Sequence, residues 1–204
     1  HMGRRSMTIM QTYTGGRFDL LKPSMRDVNL LDIAHHLSMI CRYHGATKWH
    51  YSVAQHSFVV ATLLQQSGSP YVMEGLMHDA AEAYYNDASR PLKLAMRDYA
   101  GASHTAYDHL IKRGERVIAE KFGLTYPWPE EVHAADLMAL AIERRDLLIP
   151  TADVDWRPYN LPDPLEMGVS NMTPEVAKHA FLGMYQSLIY AKPEKIDGPV
   201  AVVQ

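Results

Sequence analysis

His78, Asp79 and Glu82 fall within the stretch MHDAAEAYYND, residues 77 to 87, which Asp87 closes. On a helix His78 and Glu82 share one face at i, i+4, and Asp79 and Glu82 are neighbours at i, i+3. The flanking Leu76, Met77, Ala80, Ala81 and Ala83 ask for burial. A buried carboxylate beside a histidine is costly unless something compensates it, and a divalent cation compensates by taking both as ligands. Two ligands seldom suffice for such an ion. His56 lies between Val53 and the Val59–Val60 pair, where an unpaired imidazole is awkward, and Asp136 lies within HAADLMALA, where an unpaired carboxylate is worse. Taken singly, each residue has a plain alternative: a surface ion pair for His78 and Asp79, a carbonyl-bonded core histidine for His56, an exposed or salt-bridged Asp136. Taken together, LMHDAAEA and AADLMALA would leave carboxylates among small apolar residues twice over.

The elements that must bring these groups together are helical. LLDIAHHLSMICRYH places Leu30, Ile33, Leu37 and Ile40 at spacings of three and four, with Asp27 or Asn29 as cap and Gly45 as stop. A second helix begins after Ser52, with Gln55 three residues on, and closes at Gly68. YVMEGLMHDAAEAYY reads as one continuous third helix. PLKLAMRDYA starts a short fourth, residues 103 to 123 give a fifth, PEEVHAADLMALAIERRDLLI a sixth, and Thr173 with Pro174 opens a last. Residues 13 to 29 read as an extended or looped lead-in, and no convincing alternating strand appears. The Pro-rich stretch 150 to 172 is a long loop, whose Trp156, Arg157 and Tyr159 either cover the site or pack the loop down. The fold class is therefore all-α. Four antiparallel helices pointing His56, His78, Asp79 and Asp136 at one another would build a site of two imidazoles and two carboxylates with positions left open for water.

Composition bounds the function. With 47% hydrophobic and 21% charged residues and a net charge of −3, the chain lacks the basic excess that duplex nucleic acid requires. No apolar run reaches the roughly 20 residues that span a bilayer. The single cysteine, Cys41, excludes an internal disulfide and suits the cytoplasm. HMGRRS, residues 1 to 6, reads as an expression scar, residues 7 to 195 as one domain, and 196 to 204 as a flexible tail.

His56, the pair His78–Asp79 with Glu82 after it, and the distant Asp136 resemble the motif of the HD-domain phosphohydrolases. DIAHHLSMICRYHGATKWHYSVAQHS, residues 32 to 57, and LMHDAAEAYYNDASRPLK, residues 76 to 93, carry most of the likeness. It is nearest to the branch of YfbR-like 5′-deoxynucleotidases and phage-type HD hydrolases. The resemblance implies an HD-domain helical bundle holding one divalent metal ion (Mn, Co, Mg, Zn or Fe) on His56, His78, Asp79 and Asp136. It implies Glu82 as the residue that orients or deprotonates the attacking water. Asp87 would contact the sugar 3′-hydroxyl or help move a proton, and Arg42, Tyr43 and Lys93 would contact phosphate and sugar. The activity expected is hydrolysis of a (deoxy)nucleoside 5′-monophosphate or a dNTP by attack of water on phosphorus, in a homo-oligomer. The alternative is a non-catalytic nucleotide-binding or assembly protein that keeps the pocket. Of the remaining histidines, His35 and His36 are expected to be structural. Relatives often carry Gly-His where this chain has Gly45–Ala46.

Overall fold

The computed structural model describes residues 7–190 and is mostly helical. The expected scar at 1 to 6, the domain's last residues, 191 to 195, and the tail from 196 lie outside them. A short antiparallel hairpin, β1 (Ile9–Gln11) and β2 (Arg17–Asp19), precedes helix α1 (Leu30–Met39). It corrects the strand-free expectation. Its three-residue strands are too short to show an alternating pattern, and Asp32, which opens α1, accepts hydrogen bonds from the Thr14 amide and hydroxyl in the hairpin's turn.

A 3₁₀ turn at Arg42–Gly45 leads to α2 (Val53–Gln66), and α3 (Val72–Met77) and α4 (Glu82–Tyr85) follow. Then come α5 (Arg90–Ala100), α6 (Ala106–Phe122), α7 (Glu130–Leu147) and α8 (Pro174–Tyr190). Caps account for the starts: Asn29 accepts from the Leu31 amide, Ser52 from the Gln55 amide, and Thr105 and Asp108 form a reciprocal capping box. The loop after α7 contains only a 3₁₀ turn at Arg157–Tyr159.

Helix α2 is buried along nearly its whole length, as a helix that is apolar on most sides must be. It packs against α1, α3, α7 and α8, so His56 stands at the centre of the bundle. Phe181, Leu76 and Ile142 are fully buried in the core cluster that these helices share, each contributing about 1.5–3 kcal/mol of transfer free energy. Among the described residues no helix is long and apolar enough to cross a membrane.

The expected third helix is broken, which corrects the single-helix reading of residues 71 to 85. Between α3 and α4 the chain winds tightly: the amides of Ala80, Glu82, Ala83 and Tyr84 each donate to the carbonyl three residues back. The tighter winding changes the angular offset of His78 from Glu82, so their sharing of a face cannot be taken from i, i+4 spacing.

Gly75 lets α3 approach α2 closely, because a Cβ there would stand 2.2 Å from Leu64 Cδ1 and 3.4 Å from Val60 Cγ1. Leu64 is buried and has little room to yield. Gly75→Ala is expected to cost about 1–3 kcal/mol by overpacking and to push His78 away from His56. Thermal melting together with metal titration checks it; unchanged melting and metal binding would show that α2 and α3 tolerate the added volume.

Candidate metal and hydrolytic site

Three helical segments deliver the predicted ligands. His56 lies in α2, His78 and Asp79 lie in the tight turn after α3, and Asp136 lies in α7. The donor atoms of His56, His78 and Asp79 all lie within 4.8 Å of one another. The two Nε2 atoms are 3.3 Å apart. Asp79 Oδ2 stands 3.5 Å from the first and 3.4 Å from the second. Asp136 Oδ1, outside that three-residue group, stands 3.1 Å from His56 Nε2 and 3.9 Å from His78 Nε2.

The opposite edge of each imidazole decides what these nitrogens carry. His78 Nδ1 is 2.7 Å from the Gly75 carbonyl, and His56 Nδ1 is 2.5 Å from Glu143 Oε1. Both partners accept, so each Nδ1 carries a proton and donates it, which leaves Nε2 as the inward-facing nitrogen of each ring. Two imidazole nitrogens and two carboxylates then converge, with His56 fully buried and the Asp79 and Asp136 side chains 21% and 41% exposed, an arrangement that a cation would compensate. Two nitrogens bonded at about 2.1 Å to one ion stand about 3–3.5 Å apart, so the observed separation fits a shared metal.

The surrounding charges favour a second proton on His56. Burial and Arg42 push His56 down, but Glu143 and Asp136 outweigh them and lift it to about 9. Burial would raise Asp136, yet His56, His78 and Arg42 hold it well below the usual carboxylate range. Glu143 is fully buried, and Arg42 and His56 together overcome that burial to bring it down to about 2.

Glu82 behaves in the opposite way. It is buried, and burial followed by Asp79 and Asp87 lifts its carboxyl well above the ordinary range. Its Oε2 has no hydrogen-bond partner, and Lys93 Nζ lies 3.9 Å from Oε1. Asp87 is half-buried just beyond Asn86, whose backbone takes a positive φ of 68° and whose Oδ1 accepts from the Asp87 amide.

Arg42 and Tyr43 face the ligands. The Arg42 guanidinium is 3.4 Å from Asp79 Oδ2 and 3.5 Å from Glu143 Oε2, and the Tyr43 hydroxyl donates to Glu143 Oε2 at 2.5 Å. Tyr43 and His44 both have positive φ, 56° and 52°, a conformation that costs side-chain-bearing residues about 1–2 kcal/mol each. The Tyr43 bond and a 2.8 Å contact from His44 Nε2 to Ser89 Oγ hold this turn in place.

His36 ties α1 to the site: its Nδ1 donates to the Ala83 carbonyl at 2.8 Å, and its Nε2 accepts from the Tyr13 amide. His35 stacks on Tyr13 at 3.5 Å. His50 lies against the Ser38 carbonyl and His133 is exposed. The long loop packs down, with Arg144 over Trp156 and Arg90 over Tyr159. Two open pockets of about 630 and 620 Å³ are formed by the loop and α7, both bordered by Arg144 and Trp156 and neither lined by a predicted ligand.

Sequence reasoning missed Glu143 and Tyr51, whose hydroxyl donates to Glu143 Oε1 at 2.9 Å. One signal was present: Glu143 follows Asp136 by seven residues, two turns along the same helix face.

No family model matches the chain. It is 39% identical over 141 residues to the uncharacterized protein YfdR of Escherichia coli, covering 69% of this chain and 73% of that one. It is 31% identical over 163 residues to an uncharacterized protein of Rhodobacter capsulatus, covering 74% and 79%. With that identity over these shares of both chains, the protein belongs to the YfdR family.

Proposed function

We propose that this chain is an HD-domain phosphohydrolase that uses one divalent metal ion to cleave a nucleoside 5′-phosphate ester or anhydride, with deoxynucleotides preferred. The observation that carries this reading is the pair of inward-facing Nε2 atoms 3.3 Å apart, flanked by Asp79 and Asp136, beside a buried glutamate with an unpartnered oxygen. His56, His78, Asp79 and Asp136 would hold the ion. When bound, it supplies charge neutralisation at phosphorus and makes a nucleophile available near neutral pH.

The chain's own groups do the rest. Glu82 Oε2 takes a proton from the attacking water and passes it toward the leaving oxygen, a task suited to a carboxyl lifted by burial. Arg42 and Lys93 add positive charge next to Asp79 and Glu82 for the phosphoryl oxygens. Asp87 stands at the site's rim for a sugar hydroxyl. The reading keeps a homo-oligomer and the reducing cytoplasm, the latter from the lone Cys41.

The test is a panel of ribo- and deoxynucleoside mono- and triphosphates with Mn²⁺, Co²⁺, Mg²⁺ or EDTA, with phosphate distinguished from triphosphate among the products. Metal-dependent release from deoxynucleotides is expected. Nucleotide and metal binding without any product would replace the enzyme by the non-catalytic binder.

A further inference from the structure

Glu143 lies behind the ligand shell, on the Nδ1 side of His56, and the structure uses both of its oxygens. Oε1 accepts from His56 Nδ1 at 2.5 Å and from the Tyr51 hydroxyl at 2.9 Å. Oε2 accepts from the Tyr43 hydroxyl at 2.5 Å and faces Arg42 Nε at 3.5 Å. The side chain is fully buried, so no water competes for these donors.

A carboxylate that already accepts three hydrogen bonds and lies beside a guanidinium is poorly placed to ligate an ion. It dictates instead which nitrogen of His56 carries a proton, and therefore which one can donate to a metal. His78 receives the same instruction from a backbone carbonyl, that of Gly75, which no side-chain substitution removes. The two imidazoles are thus oriented by different means, and only that of His56 depends on a side chain. Through its other oxygen the same carboxylate grips the Arg42–Gly45 turn, in which Tyr43 and His44 are left-handed.

We propose that Glu143 is the positioning residue that fixes His56 as an Nε2 donor and joins the Arg42–Tyr43 turn to the metal pocket. This rests on the metal reading above, and its test separates the two. In wild-type protein, both zinc-loaded and metal-free, the His56 Nδ1 proton should give a far-downfield NMR signal, and Glu143→Gln should shift it upfield. Competition with a chelating dye should show about 10–100-fold weaker metal affinity in Glu143→Gln. Tyr43→Phe, which leaves the Oε1 contacts intact, should bind metal as wild type does.

No Nδ1 proton signal in the wild type would overturn the proposal whether or not the variants fold. So would unchanged affinity in a folded Glu143→Gln protein, or equal weakening by Tyr43→Phe. A wild-type protein that takes up no ion sinks the metal reading, while the proton signal still decides the role of Glu143.

Discussion

Glu82→Gln is expected to lower turnover by about 10²–10⁴-fold, the range for loss of a positioned general acid–base group, while metal affinity and folding stay near wild type. The side chain is buried, and its Oε2 has no hydrogen-bond partner. Asp79 and Asp87 add like charge to the burial that already raises its carboxyl. A neutral glutamine keeps the volume and removes an awkward buried acid, so stability should hold or rise slightly. Phosphate release and metal titration on the same preparation separate the two effects. Turnover at the wild-type rate would assign the proton to another group even if every other feature stood.

Stripping the metal is expected to reduce turnover to background and to leave a protein whose stability falls as pH rises. Without an ion, a proton on His56 is the remaining compensation among the four converging donors. Burial and Arg42 work against that proton, yet Glu143 and Asp136 keep the folded-state value near 9, against 6.5 as reference. Because the folded value is the higher one, the contribution is complete below pH 6.5 and is lost as pH climbs through 9. Its size is about 3 kcal/mol, taking the free-energy value of each pKa unit. Metal reverses the trend, since ion and proton compete for Nε2 and uptake strengthens as protons leave. At a hundredfold excess over its dissociation constant a bound ion adds about 2.7 kcal/mol. Melts of chelated and reloaded protein from pH 6.5 to 9 should therefore diverge as pH increases. Curves that coincide throughout would mean that no ion binds.

Much of this architecture was legible in residue types. Asn29 and Ser52 cap as expected, and His56, His78 and Asp79, polar residues set among apolar ones, converge, with the more exposed Asp136 standing 3.1 Å from His56. The broken helix at 78 to 81 was not legible, because winding by three or by four leaves the same apolar residues in the sequence. Glu143 was hidden differently: in IERRD it reads as part of a solvated charge run, and its imidazole partner is 87 positions away. The left-handed Tyr43 and His44 carried no glycine or asparagine to announce them, and contacts from distant Glu143 and Ser89 hold them there.

That span along the chain bears on biosynthesis. His56, His78 and Asp79 leave the ribosome well before Asp136 and Glu143, so a nascent chain exposes a half-built trap with one imidazole unrestrained. On the proposed metal reading, high-affinity loading would wait for α7 to dock, and a translation product truncated ahead of it would keep three donors without the clamp that aims them.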